Sequence, residues 1–369
     1  MSKLKISIVV LACLALAISM VFVGCKTTTT EETTATTTAA ETTVAETTAA
    51  AAGSAGADIL FVQKLIGIPY CNRQADSMAW INADMGMNAV YTGPNEPDVT
   101  GQITIIEDAL AKGIDGLAVS SNDAAASAPV MQTAMDMGVI AIAWDVPGVV
   151  GAYDYEVLAA SNQKYGENLI EMLVKYMGTS GEYAIITGGL TAENLNVWID
   201  IAEEYAAANY PDLKLVSERI PTEEQEQIAY EKALEVIKAY PNLKGIIGVS
   251  SPAPPGIAKA VQEKGLQDTI AVVGTALPTQ CADYVADGSL DAFEAYDPAI
   301  TTYVTGYIFK VLLDGGTVSE GMEMLKGEAA KAAGLVIPDS IGKEGVSFLS
   351  TDPLIIDKTN IDPYVAQGW

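Results

Sequence analysis

Histidine is absent from all 369 residues. Its absence removes Ser-His-Asp and Cys-His nucleophilic catalysis and the commonest transition-metal ligand together. Basic residues are scarce, with 20 Lys and Arg against 47 Asp and Glu and a net charge of −27. A field of that sign repels nucleic acid and anionic headgroups, so neither is expected as a partner. Of four cysteines, Cys13 and Cys25 fall in the N-terminal leader, which leaves Cys71 and Cys281 for the folded part. Two cysteines so far apart make neither a disulfide framework nor a zinc site, and they read as small buried hydrophobes in separate domains. Gly188-Gly189 and Gly315-Gly316 are lone pairs without G-x-G-x-x-G or P-loop context. Asp352, Asp357, Asn360 and Asp362 lack the spacing of a calcium loop. No cofactor and no metal are expected.

The chain opens on Lys3 and Lys5, followed by an apolar stretch from Ile6 to Val23 and then Gly24-Cys25. Residues 1–24 read as a signal peptide. The Phe22-Val23-Gly24-Cys25 end resembles the lipobox of bacterial lipoproteins, which implies acylation of Cys25 and an extracytoplasmic protein held on the outer face of the membrane. An uncleaved transmembrane anchor is the competing reading. Residues 25–57 are Thr, Ala and Glu with almost no large apolar side chain, a composition that cannot bury enough surface to fold and reads as a tether.

From Asp58 apolar strands alternate with amphipathic helices, the rhythm of βαβ units and parallel sheets. Strands are predicted at Lys64–Tyr70, Ala89–Thr92, Gly116–Ser120, Val139–Asp145 and Val157–Ser161. The intervening helices are predicted at Asp76–Met85, Val99–Lys112 and Asp123–Met137. A second half repeats the scheme from a helix at Tyr165–Tyr176 to a helix at Ala299–Leu313, with strands at Tyr183–Thr187, Leu213–Arg219, Gly245–Ser250, Ile270–Thr275 and Ala292–Tyr296. From Thr317 the pattern is irregular. Two similar α/β halves place the natural ligand site in the cleft between them.

Val139 to Pro147 organises the rest. Its unbroken apolar run ends in Trp144-Asp145, the carboxyl end of a strand, where ligands bind in open α/β sheets. Two readings stand: Asp145 faces a polar ligand, or it caps the next turn and Trp144 is core. Similar polar and aromatic groups recur at other strand ends: Tyr70, Asn72 and Arg73; Asn122 and Asp123; Asn162 and Gln163; Asn194, Asn196 and Trp198; Tyr296 and Asp297. Planar polar groups beside aromatic rings suit a sugar, whose hydroxyls donate and accept and whose C–H faces are apolar. A carboxylate pair such as Asp145 with Asp297 leaves a glycosidase open.

Several segments carry a more specific resemblance: Lys64-Leu65-Ile66-Gly67-Ile68, Thr92-Gly93-Pro94-Asn95-Glu96-Pro97-Asp98, Trp144-Asp145, Ala160-Ser161-Asn162-Gln163, Glu294-Ala295-Tyr296-Asp297 and Asn360-Ile361-Asp362-Pro363-Tyr364. They resemble the type I, ribose-type sugar-binding proteins of ABC importers, and within that class the autoinducer-2 and rhamnose receptors. The resemblance implies a periplasmic binding protein-like I fold, with two Rossmann-like lobes joined by a three-strand hinge. It divides the chain into 58–161 with 297–325 and 162–296 with 326–369. It also implies a monomer that binds one sugar, does no chemistry, and has an ABC permease as partner. Carried over by position, Lys64 and Asp145 would hold ligand hydroxyls from the first lobe. Asn194, Asn196, Ser251 and Asp297 would close from the second lobe and the hinge. Asn194-Leu195 and Val249-Ser250-Ser251 depart from the autoinducer-2 pattern, which favours a related sugar, a deoxyhexose such as rhamnose. The same fold used as a sensor for a membrane kinase or chemoreceptor is the alternative.

Overall fold

A computed structural model describes residues 53–369. The segment expected to be a signal peptide, Cys25 and most of the expected tether lie outside the described residues. Among the described residues no helix is long and apolar enough to cross a membrane.

The first lobe begins with β1 (Asp58–Val62), α1 (Pro69–Met85), β2 (Asn88–Thr92), α2 (Val99–Lys112), β3 (Gly116–Val119), α3 (Ala124–Asp136), β4 (Ile140–Trp144) and β5 (Tyr155–Leu158). The chain then crosses to the second lobe. There it forms α4 (Asn162–Met177), β6 (Gly181–Thr187), α5 (Glu193–Asn209), β7 (Leu213–Leu215), β8 (Ile220–Pro221), α6 (Glu226–Ala239), β9 (Leu243–Val249), α7 (Ala253–Lys264), β10 (Ala271–Thr275), α8 (Pro278–Asp287) and β11 (Ala292–Ala295). It returns for α9 (Pro298–Leu313), α10 (Glu328–Ala332), β12 (Gly342–Glu344) and β13 (Ser347–Leu349), and crosses once more for β14 (Leu354–Asp357) and α11 (Asp362–Gln367). The sheets run β12-β13-β5-β4-β3-β1-β2 and β14-β11-β10-β9-β6-β7, with β8 also on β6. All pairings are parallel except β12 with β13 and β14 with β11. This is the expected architecture, with three crossings at 159–161, 296–297 and 350–353. The first and third are tied together by Ser350 and Thr351 N–H groups donating to the Leu158 and Ala159 carbonyls.

Both faces of each sheet are covered, which is why the strands read as apolar runs without alternation. In the first lobe Ile59, Phe61, Ile142 and Trp144 pack towards α1 and α9. Val62, Leu117, Val119 and Ala141 pack the other way, with residues of α2 and α3.

Two expectations are corrected. The first strand is not Lys64–Tyr70 but Asp58–Val62, because Ile59, Phe61 and Val62 are the buried residues while Gly67 at φ 94° and Pro69 break the later run. Lys64 to Ile68 is the loop beyond its carboxyl end. Nor does everything after 325 join the second lobe: β13 extends the first sheet beside β5 with register Phe348↔Val157, and the third crossing falls at 350–353.

Candidate functional site

A small cavity lies between the lobes, the kind of position where small-ligand sites concentrate. From the first lobe it is lined by Lys64, Ile68, Tyr70, Cys71 and Asp145. Tyr165, Asn194, Leu195, Trp198, Glu224, Ser250, Ser251, Thr275, Ala276, Leu277, Ala295 and Tyr296 line it from the other side.

Helix and strand ends explain the placement. α1, α5, α7 and α8 have no side-chain cap at their N-termini. Residues in or just before their first turns line the cavity: Ile68 and Tyr70, Asn194 and Leu195, Ser250 and Ser251, Ala276 and Leu277. The positive end of each helix dipole thus lies near the cavity, where it favours ligand oxygens. By contrast α2, α3, α4 and α9 are capped by Asp98, Asp123, Ser161 and Asp297.

Asp145 is 5% exposed and has φ 66°, unusual for a residue with a Cβ. Its Oδ1 accepts from Tyr70 OH at 2.6 Å and its Oδ2 from Gln63 Nε2 at 3.2 Å and Ser120 Oγ at 3.3 Å. Tyr70 OH also meets Tyr296 OH at 2.8 Å. Burial, with Asp145 nearby, pushes both phenols well above the ordinary tyrosine range, so they stay neutral hydrogen-bonding groups. Lys64 Nζ donates to Glu224 Oε1 at 3.0 Å, an ion pair from one lobe to the other. Burial opposes the Lys64 charge, but the Glu224 carboxylate together with Asp145 outweighs it and raises the ammonium pKa. Burial pushes the Cys71 thiol up to about 12, so this wall is a neutral thiol. Neither Cys71 nor Cys281 is in a disulfide, as expected.

The second lobe supplies a ring platform. Tyr165 and Trp198 stack with centroids 4.3 Å apart and planes 23° apart, and Trp198 Nε1 donates to Asn162 Oδ1 at 2.7 Å. Around it Asn194 Oδ1, Ser250 Oγ, Thr275 Oγ1 and Tyr165 OH are buried with no protein partner. Four unpaired buried polar atoms on one cavity are what a ligand rich in hydroxyls would satisfy.

Of the expected site residues, the structure brings Lys64, Tyr70, Asp145, Asn194 and Ser251 to the cavity. The others serve elsewhere. Arg73 forks onto Asp297, Nε to Oδ1 at 2.9 Å and Nη2 to Oδ2 at 2.6 Å, and its guanidinium lies 5.2 Å from the Trp80 ring centre. Asp297 thus binds α1 to the second crossing and caps α9, and the Asp145–Asp297 pair is not assembled on the cavity. Asp123 caps α3, Asn72 is exposed, and Asn196 bonds the Leu190 carbonyl and Arg219. Asn162 orients Trp198 instead of lining the cavity. Trp144 is fully buried between Phe61 and Tyr91, so for it the core reading holds. Sequence reasoning missed Glu224, which sits in the featureless run Glu223-Glu224-Gln225-Glu226. It also missed Tyr165, Ser250 and Thr275.

A model of the periplasmic binding protein domain matches residues 59–317. The chain belongs to that family. An ABC transporter solute-binding protein from Clostridium phytofermentas, solved with bound L-rhamnose, matches with TM-score 0.77 at 22% identity, over 85% of this chain and 99% of that one. LsrB from Clostridium saccharobutylicum in complex with AI-2 matches with TM-score 0.73 at 21% identity, over 83% and 99%. The D-ribose/D-allose-binding protein of Pseudomonas aeruginosa is 26% identical over 190 residues, 49% of this chain and 57% of that protein. The chain spans about half the length of the curated relatives it matches.

Proposed function

We propose that this periplasmic binding protein captures one neutral monosaccharide between its lobes and hands it, unaltered, to an ABC importer. The observation that carries the reading is the cavity itself. One wall offers Asp145 and Lys64; the other offers Glu224, stacked rings and unpartnered buried polar atoms. That combination of hydroxyl partners and apolar faces fits a pyranose or furanose. The apolar share, with Ile68, Leu195, Ala276, Leu277 and Ala295, supports a sugar carrying a methyl group, a deoxyhexose such as rhamnose or an autoinducer-2-like furanose. Binding is favoured over hydrolysis because both cavity carboxylates already accept hydrogen bonds, Asp145 from three donors and Glu224 from an ammonium. Both are already engaged by the protein's own donors. Anchoring through acylated Cys25, with a monomer working just above the membrane beside its permease, completes the proposal and rests on the leader and tether sequence.

A thermal-shift screen of pentoses, hexoses, deoxyhexoses and autoinducer-2 tests it. A bound ligand at a hundred times its Kd adds about 2.7 kcal/mol of stability. The expected result is a raised Tm for one sugar or a few related ones, lost in Asp145→Ala. No shift with any sugar, or release of the aryl group from aryl-glycosides, would contradict the reading.

A further inference from the structure

The cavity holds three charged side chains, and their arrangement bears on which ligands can enter. Asp145 is surrounded by donors from its own lobe. Lys64 is the one cationic side chain in the lining, and it is taken up by Glu224. Glu224 is held at that position by an unusual backbone. Among the described residues, only Asp145, Glu223 and Glu224 have positive φ without being glycine. Glu223 at 51° and Glu224 at 58° are consecutive. The preceding Thr222 is pinned by its Oγ1 donating to the Thr187 carbonyl at 2.8 Å and its N–H to the Gly188 carbonyl at 3.1 Å. Gly188 lacks a side chain where a Cβ would collide with the Glu224 carboxylate. A strained turn is thus maintained to deliver one carboxylate to one ammonium across the cleft.

We propose that Glu224 is a specificity-determining residue that selects ligand charge: by pairing with Lys64 it leaves the cavity no free cation, so neutral sugars are accepted and acidic ones rejected. This rests on the sugar-binding reading above. A uronate, aldonate or sugar phosphate would bring its anion beside Asp145 and Glu224 with no unpaired counter-charge to meet it. A hydroxyl fits the same place, because it donates to a carboxylate and accepts from the remaining Lys64 N–H groups.

Calorimetric titration with L-rhamnose and D-ribose, and with L-rhamnonate, D-ribonate and D-galacturonate, tests this on the wild-type chain and on Glu224→Gln. The amide keeps the size and the hydrogen bond to Lys64 but releases its charge. The wild type is expected to bind none of the acids, and the variant to gain about tenfold or more for at least one of them. Lys64→Met is the reciprocal variant and carries the test should Glu224→Gln fail to fold. With two carboxylates left, it is expected to gain affinity for D-glucosamine over the wild type. Wild-type binding of an acid as tightly as a neutral sugar, or an unchanged charge preference in the substituted proteins, would overturn the proposal. A wild type that binds no neutral sugar would overturn the sugar reading alone, since the shift in charge preference can still be read from the variants.

Discussion

At Asp145, backbone strain and ligand chemistry meet in one residue. Its φ of 66° aims the carboxylate back over the carboxyl end of β4, where Tyr70, Gln63 and Ser120 hold both oxygens. Asp145→Ala removes a charge-assisted acceptor and places an ill-suited residue at positive φ. It is expected to weaken ligand binding by about 1.5–3 kcal/mol, read by calorimetry. Asp145→Asn tolerates the backbone but loses the charge, and a smaller loss is expected. Arg73 behaves differently, although it lies one turn from Tyr70. Its partner is Asp297, both side chains are 12% exposed, and neither lines the cavity. Arg73→Met strands a carboxylate at the second crossing and is expected to cost about 3 kcal/mol of stability in denaturant melts. A sequence motif alone cannot separate these two roles. Asn, Asp and Arg at strand ends cap helices and brace hinges as readily as they touch ligands, and Asp123, Asn162 and Asp297 all did so here.

Among the elements, helices were legible wherever a cap and a 3.6-residue period coincided, as in α2, whose predicted limits Val99–Lys112 match the structure. β1 was misplaced because two apolar runs stand side by side and the sequence does not say which is covered on both faces. The Trp198–Tyr165 stack was illegible for a related reason: it joins α5 to α4, and only their packing brings the rings together. Gly166 permits that packing, since a Cβ there would collide with Ile201. Trp198 lines the cavity, so ligand should change tryptophan fluorescence, and Trp198→Phe is expected to abolish most of that change. β11 carries a pH response. Glu294 is fully buried, with Oε2 accepting from Asn168 at 3.2 Å and Oε1 unpartnered, and burial holds its carboxyl well above the usual 4.5. Burial likewise raises Asp291, just before the strand, to about 6. Each binds its proton more tightly folded than unfolded. Their contribution to stability is therefore complete below the unfolded values and is lost as pH rises through the folded ones. Wild-type stability is expected to fall as pH rises through these transitions, and Glu294→Gln to reduce that fall in denaturant titrations.

For the whole molecule, the two-lobe plan was the easiest feature to read, because alternating strands and helices repeated twice leave few other topologies. The lobe assignment of the stretch from 326 to the third crossing was not, since short strands such as β13 carry too few residues to show which sheet they extend. The closed arrangement brings Lys64 and Glu224 together and sets Tyr70 against Tyr296. The site thus exists only as the sum of both lobes, and lobe opening is its natural route for entry and release. The central claim is that one neutral monosaccharide is enclosed there and leaves intact. Equilibrium dialysis against a mixture of monosaccharides, with chromatographic identification of what the protein retains, tests it most directly. One unmodified neutral sugar held at about one per chain, and not held by Asp145→Ala, is the expected result. Retention of nothing, or recovery of cleaved or altered sugar, would contradict it.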